Sequence, residues 1–122
     1  MKIIRWNVCG LRNPRSIRAL YDLVIREVLD ILFLQDTHLM AHEFEVCKFK
    51  LGFVNCLVVD CRGRKGGLAL LWGRDISLLV LSYSHCHIDA LIDNDPIKVS
   101  WFFTGIYGFH EVCQWFRTWA LL

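Results

Sequence analysis

Residues 2–36 read KIIRWNVCGLRNPRSIRALYDLVIREVLDILFLQD, and the punctuation of this stretch decides the fold. The opening run, KIIRWNVC (2–9), is rich in β-branched and aromatic residues and stops at Gly10, the pattern of a strand. Asn13 then offers an N-cap, and Pro14 supplies the fixed φ of a first helical position. Ile17, Leu20, Tyr21, Val24 and Val28 follow at helical spacing and predict one apolar stripe. DILFLQ (30–35) is apolar without alternation, as in a central strand covered on both faces. Strand, helix and strand at this spacing make a βαβ unit with parallel strands and a right-handed crossover. Both strands then end at one rim of the sheet, the first on Asn7 and the second on Asp36. In open α/β sheets that rim is where ligands bind.

Beyond Asp36 the pattern changes. Residues 43–50 mix polar and apolar side chains without a clear repeat. FVNCLVVD (53–60), GGLALLWG (66–73), ISLLVLSYS (76–84), HCHIDALI (85–92) and PIKVSWFFTGIYG (96–108) then follow as strand-like runs. CRGRKGG (61–67), GRD (73–75) and DNDP (93–96) carry the turn residues between them. Connections this brief join antiparallel strands, so the expected sheet is mixed, with a parallel start. HEVCQWFRTWALL (110–122) reads as the start of an amphipathic helix.

A chain of 122 residues has room for one domain. Hydrophobic residues make up 55% of it and the mean hydropathy is +0.37, whereas ordinary soluble domains reach roughly 45–50% even with glycine counted. Yet the uninterrupted apolar runs, such as LALLW (68–72) and LLVL (78–81), are strand-sized. A transmembrane helix needs roughly 20 residues. Arg5 and Asn7 break any signal-peptide core. The expectation is an intracellular protein, nuclear or cytoplasmic and not secreted, with no membrane partner and with its six cysteines as thiols. The net charge of +2 does not announce a polyanionic partner, but the distribution is uneven. Lys2, Arg5, Arg12, Arg15 and Arg18 precede the first acid, Asp22, and Arg62, Arg64 and Lys65 form a second cluster. Such clusters suit phosphate contacts as well as a solvated face.

An amide and a carboxylate at one sheet rim can serve a hard cation such as Mg2+, which takes few protein ligands and keeps several waters. From spacing alone the more ordinary use of both is as loop caps, with Asn7 bonding backbone and Asp36 closing a turn.

IIRWNVCGLRNP (3–14), DILFLQDTHL (30–39), GGLALLW (66–72) and FTGIYG (103–108) occur in the order seen in the endonuclease/exonuclease/phosphatase (deoxyribonuclease-I-like) family. The chain most resembles the nuclease domain of plant non-LTR (LINE-type) retroelements. That resemblance implies a four-layer α/β sandwich, two mixed sheets face to face with helices outside, of which residues 1–122 are the N-terminal half. It implies metal-dependent phosphodiester hydrolysis with DNA as partner and Mg2+ or Mn2+ as cofactor. It also implies that Asn7 holds the metal or reacting phosphate, that Asp36 is a metal ligand, and that Tyr107 contacts the phosphate. Arg62, Arg64 and Lys65 would touch a nucleic-acid backbone.

The sequence departs from the family pattern in three respects. Asp36 replaces the usual glutamate, shortening the carboxylate's reach by one bond, roughly 1.5 Å. Cys9 stands where relatives carry polar residues, and a thiol suits a hard ion poorly. No GDFN-like or SDH-like stretch is present, and neither His38 nor His110 stands where the missing histidine would. The fragment is therefore expected to be inactive by itself. A missing second sheet would leave the face of Ile97, Val99, Trp101, Phe103 and Tyr107 bare, open to self-association and poor solubility, with LALLW and SLLVLSY (77–83) prone to aggregate. His85, His87, Cys56 and Cys61 lack the paired spacing of a zinc site. The single glycine of NVCGLRNP (7–14) does not make a dinucleotide-binding turn.

Overall fold

Strand β1 (Ile3–Asn7) leads through helix α1 (Pro14–Glu27) into β2 (Ile31–Gln35), and β1 and β2 lie side by side in parallel. The computed structural model describes residues 2–8, 10–62, 66–93, 99–106 and 113–119, with 99–101, 106 and 113–119 given by backbone alone. Helix α1 starts where its cap predicts: Asn13 has extended backbone, and its Oδ1 accepts the N–H of Arg15 at 2.9 Å. The helix ends at Val28, whose φ of 50° is left-handed and whose N–H bonds the Val24 carbonyl. Val28 therefore turns away from the apolar stripe. Leu20 and Leu23 are buried, Ile17 and Val24 pack against them, and Tyr21 and Val28 are exposed.

Helix α2 (Ala41–Leu51) occupies the stretch in which the sequence shows no clear period. Phe44, Cys47 and Leu51 do recur at helical spacing and are buried, but exposed Val46 and Phe49 blur the stripe. The Glu43 carboxylate accepts the Met40 N–H at 3.1 Å, and left-handed Gly52 (φ 79°) ends the helix.

Strands β3 (Asn55–Val59) and β4 (Leu68–Trp72) complete a first sheet of order β1-β2-β4-β3, with β4 antiparallel to both neighbours. A second sheet, β5 (Leu78–Ser84), β6 (His87–Ile92), β7 (Val99–Ile106) and β8 (Cys113–Trp119), is antiparallel throughout and runs in chain order. Of the helix expected at 110–122, the described residues Cys113–Trp119 form β8 instead. Its residues CQWFRTW are rich in strand-favouring aromatic and β-branched types, and β7 offers a ladder from Gly105↔Cys113 to Val99↔Trp119.

Two apolar layers hold the molecule together. Leu32 and Leu34 of β2 and Leu71 of β4 face both helices, meeting Leu20, Leu23 and Phe44. Ile31 and Phe33 of β2 and Leu70 of β4 face the second sheet, meeting Ile88, Ala90 and Phe103. The described residues thus form three layers of an α/β sandwich: helices, mixed sheet, antiparallel sheet.

The second sheet changes the fate of the face expected to be bare. Phe103 is 1% exposed, its ring 5.3 Å from that of Phe33 in an edge-on arrangement at 64°. Val99 and Trp101 are placed by backbone alone, and Ile97 and Tyr107 lie outside the described residues. LALLW is the buried strand β4, paired on both sides, rather than an aggregation-prone surface. β5 is a sheet edge with exposed Leu79 and Leu81, the latter in a bulge between Val80 and Ser82. Leu79, Leu91 and Phe102 are register partners on the outer face of this sheet, and both described helices pack on the other sheet.

Gly105 marks a close approach of the sheets, since a Cβ there would stand 2.6 Å from two carbons of the Phe33 ring. Gly105→Ala should cost about 1–3 kcal/mol in denaturant unfolding. In the double variant with Phe33→Leu the loss should be smaller than the sum of the single losses; strict additivity would contradict this packing.

Candidate metal and phosphate site

Parallel pairing sets the C-terminal ends of β1 and β2 next to each other. Asn7 is the register partner of Gln35, and Asp36 is the next residue along. The loop after β2 is bonded on both sides. Val8, Gly10 and Leu11 donate backbone N–H groups to the carbonyls of Gln35, Asp36 and Thr37 at 3.0, 2.8 and 3.0 Å. From the other side, Thr37 and His38 donate to Gly67 and Gly66 at 3.2 and 2.9 Å, and Cys61 donates to Leu39 at 3.1 Å. Three loops therefore converge at Asp36.

The convergence is tight enough to dictate residue types. Asp36 and His38 have φ of 63° and 59°, a left-handed conformation uncommon outside glycine and best tolerated by Asn, Asp and His. Gly67, at φ 92°, lies against Thr37, so a Cβ there would run into the threonine hydroxyl. Gly10, at φ 96°, lies under the His38 ring, where a Cβ would stand 2.9 Å from Nδ1. Left-handed non-glycine residues cost of order 1–3 kcal/mol each and cluster at functional sites.

His38 reaches the carboxylate despite its unpromising place in the sequence. Its Nε2 lies 3.1 Å from Asp36 Oδ1, with the two side chains 31% and 20% exposed. The sole hint in the sequence is the D-x-H spacing just past a strand. Gln35 went equally unmarked. It is fully buried, and neither Oε1 nor Nε2 has a hydrogen-bond partner among the described residues. Ile31 and Phe33 face the inter-sheet layer while Leu32 and Leu34 face the helices, so alternation puts Gln35 on the inter-sheet side. Ile3 packs against that same layer, and alternation along β1 puts Asn7 on that side as well. A buried amide left unpaired costs about 1–3 kcal/mol.

Asn7 and Asp36, expected together, are brought together. Arg62 is exposed at the start of the β3–β4 connection, whose two ends bond Thr37, His38 and Leu39. Arg64, Lys65, Tyr107 and Cys9 lie outside the described residues. An amide oxygen, a carboxylate and a nearby unsatisfied amide form an oxygen-rich donor set that fits a hard divalent cation, with water completing its shell. Among the described residues no group of three His, Cys, Asp or Glu could hold a metal ion, so a cation at the rim would rest on the Asn7 amide, the Asp36 carboxylate and water; no disulfide joins Cys47, Cys56, Cys61 or Cys86.

The site is braced from behind by Arg12, in the β1–α1 loop, whose Nη1 lies 2.7 Å from Glu43 Oε2 in the first turn of α2. The Met40 N–H, and secondarily the Arg12 guanidinium, holds the Glu43 carboxyl below its ordinary value of 4.5.

No family model matches the sequence, and no curated protein matches it. Solved structures do. The chain is similar to the crystal structure of the AP endonuclease LMAP from Leishmania major, with a TM-score of 0.64 at 18% identity over 86% of this chain and 39% of that one. It also matches an endonuclease/exonuclease/phosphatase family protein from Bacteroides thetaiotaomicron, with a TM-score of 0.46 at 14% identity over 94% of this chain and 49% of that one. The first likeness shows the fold, the α/β sandwich of that endonuclease, and the chain spans about two fifths of its length.

Because Glu43 is depressed in the folded state, its stabilising effect is complete above the ordinary value of 4.5 and is lost as pH falls through the folded value. Melting temperature should therefore fall on acidification below that point, and less steeply in Glu43→Gln. Identical acid limbs would contradict the Met40–Glu43–Arg12 linkage.

Proposed function

We propose that this chain derives from a metal-dependent phosphodiesterase of the endonuclease/exonuclease/phosphatase type, of retroelement ancestry and with DNA as its ancestral substrate. The observation that carries this reading is the parallel β1–β2 register, which sets Asn7 and Asp36 at one rim. The fold likeness to an AP endonuclease supports it, as do the four ordered motifs. In this reading Asn7 and Asp36 hold Mg2+ or Mn2+, His38 steadies the Asp36 carboxylate from Oδ1, and Arg62, with Arg64 and Lys65, draws in the phosphate backbone. Tyr107 belongs to the phosphate contact by resemblance alone. When bound, the cation neutralises charge on the phosphate and lowers the pKa of a coordinated water. Aspartate at 36 is compatible with the left-handed backbone there, which eases the exchange for glutamate.

Turnover needs more than this. The 122 residues contain no counterpart of the GDFN and SDH motifs that would supply a base and a histidine partner for the phosphate. General acid–base catalysis typically contributes 10²–10⁴-fold, and the motifs that supply it in the family have no counterpart in these residues. By itself the chain binds a cation and a phosphate at a nuclear or cytoplasmic location without hydrolysing DNA.

A second reading has its own observation. Leu79, Leu91 and Phe102 make an apolar row on the outer face of the second sheet, beside the open edge of β5. A non-catalytic interaction domain, self-associating through that surface, would use this row instead of the rim.

Thermal unfolding with Mn2+ and nicking of supercoiled plasmid separate the two. The first reading predicts a rise in melting temperature with Mn2+, corresponding to roughly 2.7 kcal/mol at a hundredfold excess over Kd. Asn7→Ala and Asp36→Ala should remove the rise, and no variant should nick the plasmid. Absence of any cation effect, together with a concentration-dependent dimer dispersed by Leu79→Lys, would leave the second reading standing.

A further inference from the structure

We infer that Gln35 is a ligand-contacting positioning residue of the rim site, its carboxamide bonding a cation-held water through Oε1 and a phosphate oxygen through Nε2. This rests on the cation-and-phosphate reading of the rim given above. The starting observation is the complete burial of a polar side chain whose donor and acceptor are both unused. Buried polar groups are nearly always hydrogen-bonded, and an exception calls for a physical reason. Packing supplies none, because leucine or methionine would fill a similar volume between the sheets with no unsatisfied atom.

Placement supplies one. Gln35 is the last residue of β2, the register partner of Asn7 and the residue before Asp36. It lies on the inter-sheet side, beyond Phe33 and beside Leu68, its register partner in the same apolar layer, at the end of the strand that leads into the rim. Its backbone is anchored as firmly as that of its neighbours, since its carbonyl accepts the Val8 N–H at 3.0 Å.

An amide with both ends unpaired selects its occupant. A lone anion would satisfy only the N–H2 end, and a group that only donates would satisfy only the carbonyl end. A hydrated divalent cation carrying a phosphate presents both at once: polarised water O–H groups to Oε1 and a non-bridging oxygen to Nε2. Groups that orient metal ligands from behind typically contribute 10–100-fold to metal affinity.

The test uses the 122-residue chain with Gln35→Leu and Gln35→Met. It measures melting temperature without cation, and Mn2+ affinity by calorimetry with and without inorganic phosphate. Both variants should melt at or above the wild-type temperature, because a frustrated amide has been replaced by apolar atoms. Both should bind Mn2+ roughly 10–100-fold more weakly, and phosphate should no longer tighten that binding. Unchanged Mn2+ affinity and unchanged phosphate coupling would overturn the inference, leaving Gln35 a core amide satisfied by an internal water. Variants that melt lower or fail to fold would overturn it too, since the amide would then be structural. If the wild-type chain binds no Mn2+, the rim reading itself fails and takes this inference with it. That result is distinct from normal wild-type binding with unaffected variants.

Discussion

The parallel ladder between β1 and β2 is the constraint on which the rest depends. It runs in register from Ile3↔Ile31 to Asn7↔Gln35, so both strands reach the same rim together. Everything at the rim then hangs from fixed points. The β1–α1 loop bonds the carbonyls of residues 35, 36 and 37, and the β3–β4 connection bonds the same loop from the opposite side. Two glycines make this convergence sterically feasible, and two non-glycine residues accept left-handed backbone within it. Without the parallel pairing an amide, a carboxylate and a histidine scattered over residues 7–38 would have no common location.

The same ladder explains the composition. β2 is buried along its whole length, and so is β4 apart from its last residue, because each is covered by helices on one face and by a second sheet on the other. Strands in that position are apolar on nearly every residue, Gln35 being the exception in β2, and this accounts for much of the hydrophobic content. Among the described residues no helix is long and apolar enough to span a bilayer. In the inter-sheet layer the Phe33 ring meets Phe103 and Gly105; the next inward residue of β2 is the polar Gln35, beside Leu68 of the same layer. A buried amide therefore adjoins the dry core along one strand.

Much of this was legible from residues alone. The N-cap at Asn13, the proline at the first helical position and the uninterrupted DILFLQ run each carry a local physical signal, and each appears where that signal puts it. Asn7 and Asp36 could be paired because parallel strands leave no freedom about which ends coincide. Helix α2 escaped notice because exposed Val46 and Phe49 mask its stripe. β8 looked helical because its apolar spacing is ambiguous over a short stretch, and only the open ladder of β7 decides the matter. The second sheet and its closure over Phe103 are long-range packing, which local patterns do not encode. His38 and Gln35 belong to the site through tertiary approach and burial; the D-x-H spacing is the one local hint of the first, and the second leaves none.

The most direct measurement is paramagnetic broadening of amide resonances on titration with Mn2+. If the rim where β1 and β2 end is the ligand site, broadening begins at residues 7, 8, 10, 11, 35–38, 61, 62, 66 and 67, and it disappears in Asp36→Ala. Broadening centred instead on the second sheet, where Ser82 Oγ lies 3.2 Å from His87 Nε2 and donates to Asp89 Oδ2 at 2.8 Å, or none at all, would contradict the account.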